Sequence, residues 1–164
     1  MNNVYVFSQP NFNKECERMH LNDNNVNKEK DKAFISIIGT ENSLKYYLKE
    51  EDTKHYFKKN HKNVLNLEFD DVDENNEYEG YTLKAITKEQ AEKAVNFIEN
   101  NIGKDIYVHC RAGQSRSKSF YCFVADFYPD YYKLCRNAND TPNHGVYMRL
   151  ARAYYKKHKI YEED

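Results

Sequence analysis

The sequence contains no tryptophan, no long apolar run and no excess of either charge. No apolar stretch approaches the roughly 18 residues that a membrane-spanning helix needs, so a membrane partner is not expected. Lysine and arginine number 25 against 26 aspartates and glutamates, for a formal net charge of −1. That balance offers no general attraction to nucleic acid or to an acidic lipid surface. The opening Met1-Asn2-Asn3 lacks the charged and apolar segments of an export signal, which makes a cytoplasmic address the expectation. Four cysteines are present, Cys16, Cys110, Cys122 and Cys135, with neither zinc-ligand spacing nor a CxxC pair. A disulfide framework is not expected in a chain with no export signal. Cys122 and Cys135 read as packed thiols.

What is present suits one domain over residues 1–164, because a chain of this length with 40% hydrophobic residues can bury one core. Short apolar runs at Val4–Phe7, Ala33–Ile38, Val64–Phe69 and Ile106–His109 read as strands. Helical spacing appears in Leu44, Tyr47 and Leu48, and most clearly over Thr87–Asn101. There Thr87 and Gln90 form a capping box, and Ala91, Ala94, Val95 and Ile98 line one face. Phe120, Phe123, Val124 and Phe127 mark a helix from Ser117 that ends at Pro129, and Asn143–His158 a last one. Asn22–Lys32 and the acidic Asp70–Gly80 read as loops. Alternating strands and helices predict an α/β fold with a short, mostly parallel central sheet flanked by helices.

One segment carries chemistry: His109-Cys110-Arg111-Ala112-Gly113-Gln114-Ser115-Arg116-Ser117. It lies between an expected strand and an expected helix. There the N–H groups of Arg111, Ala112, Gly113, Gln114, Ser115 and Arg116 can curve around one tetrahedral anion, which the helix N-terminus also favours. Gly113 supplies backbone angles that a side chain would forbid. A thiol at position 110 gains thiolate character from such surroundings and can attack phosphorus. Arg116 offers a planar fork for two phosphate oxygens. The Ser117 hydroxyl can donate to the Cys110 sulfur, and His109 reads as a residue that orders the loop. The leaving oxygen needs a proton. Asp70, Asp71 and Asp73 follow the Val64–Phe69 run, and a strand parallel to and neighbouring that of Cys110 would deliver them to the same sheet edge. Tyr78 and Tyr81 read as cover for a core edge, and Asn143 as the cap of the last helix.

The run His109–Ser117 resembles the signature loop of protein tyrosine phosphatases, specifically the compact dual-specificity group. Ala33–Ile38, Val64–Asp71 and Thr87–Asn101 are similar to the flanking strands, acid loop and helix of that family, so the resemblance spans about residues 30 to 158. It implies a dual-specificity phosphatase-like fold. It implies Cys110 as nucleophile, Arg116 as phosphate clamp, Ser117 as thiolate partner and Asp71 as general acid, with Asp70 the runner-up. The implied substrate is a phosphorylated protein or peptide carrying phosphotyrosine, with phosphoserine and phosphothreonine esters as further candidates. No Trp-Pro precedes the aspartate, unlike the large receptor-type pattern, and Gln114 and Ser115 are not the basic pair of lipid-phosphatase loops. A nucleotide, RNA 5′-phosphate or phosphoinositide substrate, a phosphate-reading module without turnover, and a sulfur-transfer domain are the competing readings. No metal and no cofactor is expected, since Arg116 and the backbone supply the positive charge. Hydrolysis of an aryl phosphate should therefore persist undiminished in excess chelator.

Overall fold

Four runs rich in β-branched and aromatic residues form one sheet, which a computed structural model describes together with the rest of residues 1–44, 53–137 and 139–160. The strands are β1 (Val4–Phe7), β2 (Lys32–Ile38), β3 (Val64–Glu68) and β6 (Asp105–His109). They lie in the order β1-β6-β2-β3, and every pairing is parallel. Parallel strands bring all their C-terminal ends to one edge, and Cys110 follows the end of the interior strand β6. A small antiparallel hairpin joins β4 (Asn76–Tyr78) and β5 (Tyr81–Leu83). The helices are α1 (Gln9–Arg18), a short turn α2 (Glu41–Leu44), α3 (Lys88–Asn100), α4 (Arg116–Phe127) and α5 (His144–His158). Among the described residues, no helix is long and apolar enough to cross a membrane.

Alternation along the strands splits the core in two. Ala33, Ile35, Ile37, Leu65, Leu67, Ile106 and Val108 face the buried sides of α3, α4 and α5. Phe34 and Val64 face the other way, against Phe12 and Cys16 of α1 and the buried Phe57. Ser36 is buried on β2, opposite His109 in the parallel register. The capping box of α3 forms as expected, with Gln90 N–H donating to Thr87 Oγ1 and Thr87 N–H to Gln90 Oε1.

Several expectations need correction. Helix α1 was hidden because its composition is polar; its buried face is only Gln9, Phe12 and Cys16. Its start is nonetheless regular, with Ser8 as N-cap and Pro10 in the first turn. The acidic stretch Asp70–Gly80 is not all loop, since β4 pairs with β5 within and beyond it. The Asn22–Lys32 stretch contains a 3₁₀ turn, Val26–Lys28, and its last residue opens β2. Helix α4 starts at Arg116 rather than Ser117. Tyr81 is 37% exposed. Tyr47, Leu48 and the side chains of Leu44 and Tyr78 lie outside the described residues.

Phe12 is fully buried, with its ring centroid 4.4 Å from that of His109 and 6.1 Å from that of Phe34. Phe12→Ala should cost about 3–5 kcal/mol in a denaturant melt, the usual range for emptying a buried aromatic site.

Candidate active site

The turn between β6 and α4 is shaped from outside, through its carbonyls. His109 Nδ1 lies 3.1 Å from the Cys110 carbonyl, which can only accept, so Nδ1 carries the proton. His109 Nε2 must then accept, and it takes the Ser36 hydroxyl proton at 2.6 Å. The Ser36 oxygen in turn accepts from His55 Nδ1 at 2.7 Å. Burial holds both imidazoles neutral, with His109 lowered to about 3 and His55 to about 4. The Arg111 carbonyl accepts from Gln9 N–H at 3.1 Å, at the start of α1. The Gln114 carbonyl accepts from Thr141 Oγ1 at 3.4 Å. The Ser115 carbonyl takes Ser119 N–H and Ser119 Oγ, both at 3.0 Å.

A trans peptide sets its N–H opposite its carbonyl. Each outward-pinned carbonyl therefore turns the following N–H, of Arg111, Ala112, Ser115 or Arg116, away from its anchor. The Ser115 N–H illustrates the result, because it reaches the Cys110 sulfur. The N–H groups of Ala112, Gly113 and Gln114 meet no acceptor among the described residues. Gly113 has φ of +74°, and a Cβ there would stand 2.8 Å from Phe7 C and Ser8 N. Only glycine permits both that angle and that approach of the β1–α1 junction.

Cys110 is 3% exposed. Burial pushes its thiol up, but the Ser117 hydroxyl at 3.1 Å, the Ser117 N–H, the Arg116 charge and the Ser115 N–H together bring it below the ordinary value. Arg116 is buried, with no carboxylate partner among the described residues. Its Nη1 donates to the Phe69 carbonyl at 2.8 Å, while its Nε is buried without any partner. That orphaned donor, next to a thiol biased toward thiolate, is chemically suited to a tetrahedral oxyanion.

The segment from Asp70 to Asp73 reaches this turn by a longer path than the sequence suggested. Strand β3 is not a neighbour of β6, because β2 lies between them. The gap is two strand spacings, about 10 Å. Asp70 spans it. Its carboxylate accepts from Thr40 N–H at 2.9 Å, Thr40 Oγ1 at 2.7 Å and Lys84 N–H at 2.8 Å, which fixes the chain over the end of β2. Burial raises its carboxyl, but these bonds and the Ser43 hydroxyl outweigh it and hold Asp70 below the usual range. Asp70 is 2% exposed and fully engaged, so it is unsuited to giving up a proton. Asp71 comes next and arrives at the cysteine turn. Its Oδ1 accepts from Ser115 Oγ at 2.8 Å and from Asn143 Nδ2 at 2.9 Å, and its Oδ2 has no partner among the described residues.

The structure thus brings together Cys110, Ser115, Arg116, Ser117 and Asp71. Sequence reasoning missed three contributors. Asn143 does cap α5, with its Oδ1 accepting Val146 N–H at 3.1 Å, but its other amide atom holds Asp71. Ser36 and His55 support His109 across the sheet, and no local pattern marks them. Cys122 is buried as expected, whereas Cys135 is exposed rather than packed. Among the described residues, no cluster of His, Cys, Asp or Glu could hold a metal ion. No protein family, curated protein or solved structure compared with this chain matches it.

Toward an ionised Cys110 the Ser117 hydroxyl is the donor, in a charge-assisted bond worth about 1.5–3 kcal/mol. Ser117→Ala should raise the midpoint of the Cys110 alkylation profile by about one pH unit or more, measured as iodoacetamide rate against pH.

Proposed function

We propose that the protein is a cysteine-dependent phosphatase that hydrolyses phosphotyrosine, and related phosphomonoesters of proteins or peptides, on a dual-specificity phosphatase-like fold. The observation that carries this reading is the buried Arg116 Nε with no acceptor, beside a Cys110 thiol shifted toward thiolate. A phosphate oxygen is the partner that this donor lacks, and the unpartnered N–H groups of Ala112, Gly113 and Gln114 suit the remaining oxygens. The near-neutral net charge and the acidic stretch after Asp70 favour a peptide-borne monoester over a polyanion.

In the proposed reaction the Cys110 thiolate attacks phosphorus, the S–P bond forms and the ester P–O bond breaks. Asp71, protonated at the free Oδ2, gives its proton to the departing oxygen. Arg116 and the turn's N–H groups hold the charge on the equatorial oxygens. The Asp71 carboxylate then takes a proton from water as that water attacks the phosphocysteine. The S–P bond breaks, inorganic phosphate leaves, and Ser117 donates its hydrogen bond to the released thiolate. Asp70 supports this chemistry as the anchor of the acid loop.

Cys110→Ser should reduce hydrolysis of p-nitrophenyl phosphate to background; equal rates for wild type and variant would end the enzymatic reading. Across a panel, phosphotyrosyl peptides should be turned over ahead of RNA 5′-phosphates, nucleotides and phosphoinositides. Clear preference for one of the latter would replace the protein-substrate reading. Asp71→Asn should slow esters of poor leaving groups by on the order of 10²-fold while barely changing good ones. Uniform slowing would remove Asp71 from the acid role.

A further inference from the structure

We propose that helix α5 is a fixed dock for the acid loop, and that Gly145, Asp73 and Arg149 are positioning residues that hold Asp71 against the cysteine turn. This inference rests on the phosphatase reading for the role of Asp71.

Helix α5 begins with no acidic residue of its own in the first turn. Its N-terminus is therefore open to an anion from elsewhere. Asp73 provides one. Its Oδ1 accepts the Gly145 N–H at 3.0 Å. The Asp73 carbonyl accepts Arg149 Nη1 at 2.6 Å, and the same Nη1 lies 3.3 Å from the Gly145 carbonyl. One guanidinium nitrogen thus bridges the loop and the first turn of the helix. Two residues earlier in the loop, Asp71 takes its bond from Asn143, the residue that caps the same helix. Asn143, Gly145 and Arg149 all act from one end of α5 on a loop segment three residues long.

The approach is too close for a side chain at position 145. A Cβ there would stand 2.5 Å from the Asp73 carbonyl oxygen and 2.7 Å from Asp73 Cα. Both obstacles are backbone, so a larger residue has to displace the loop itself. The helix will not yield instead, because Val146, Leu150 and Ala153 are buried in the main core. Nor does a filled apolar interface back up the contact. A cleft of about 700 Å³, lined among others by Val72, Glu74, His144, Met148 and Arg152, opens beside it. The polar bonds and the absent Cβ are what register the loop.

The consequence is selective. Cys110, Arg116 and Ser117 are held by β6, α4, the outer carbonyl anchors and, for Arg116, the Phe69 carbonyl, none of which involves Asp73 or Gly145. Disturbing the dock should spoil proton donation and leave the thiolate alone. A misplacement of about 1 Å in a reacting group can cost on the order of 10²-fold.

The test uses the full chain and a series of aryl phosphates graded by leaving-group pKa. Gly145→Ala should slow the poor leaving groups by about 10–100-fold and the good ones little, as Asp71→Asn does. It should add little to Asp71→Asn in the double variant, and the pH profile of Cys110 alkylation should not move. Asp73→Ala reads the same point should Gly145→Ala fail to fold, and Asp73→Asn, which keeps the acceptor oxygen, should recover part of the lost turnover. Equal slowing of all esters, full additivity with Asp71→Asn, or no change at all would overturn the dock. An Asp71→Asn series with no leaving-group dependence would overturn the dock together with the acid role, and would leave the Cys110 route standing. Loss of that route is read separately, from Cys110→Ser.

Discussion

A guanidinium buried with no carboxylate partner among the described residues is the constraint around which this site is organised. Arg116 satisfies one nitrogen on the Phe69 carbonyl and leaves Nε with none. An unmet buried donor costs about 1–3 kcal/mol, and more where it carries charge. The cost falls when an anion is near, and the Cys110 thiol, biased toward thiolate, is the permanent candidate. The proposed phosphate would be the transient one. Stability and the proposed chemistry are therefore opposed at this residue: replacing Arg116 with an apolar side chain would remove the unmet donor and the means of holding an oxyanion together.

The bond to Phe69 also couples the two halves of the site. Phe69, Asp70 and Asp71 are consecutive, and each is committed to a different partner. Phe69 engages Arg116, Asp70 the end of β2, and Asp71 the turn at Ser115. The two adjacent aspartates differ because of where they lie along this bridge. Asp70 sits over β2, where backbone and hydroxyl donors converge on it. Asp71 has gone one residue further, to the rim, with one oxygen held and the other free.

Much of this was legible in the chain and some was not. The strands showed because parallel strands buried on both faces are apolar runs, and α3 showed because its capping box and apolar stripe agree. Helix α1 did not show, since it buries only three residues and is otherwise polar. Gln9, which opens it, pins the Arg111 carbonyl, and that contact spans about a hundred residues of chain. Ser36 and His55 were equally silent, because a serine in a strand and a histidine in a polar segment have no pattern until the β2–β6 register sets Ser36 opposite His109.

The sequence by itself determined the cysteine turn, its strand and helix, and the residues suited to bind an oxyanion, because those depend on neighbours within nine positions. The tertiary structure alone decided the order of the strands, the different partners of Asp70 and Asp71, and the second task of Asn143. Each of these depends on which groups from distant segments converge on one oxygen or nitrogen, and local periodicity holds no record of that convergence.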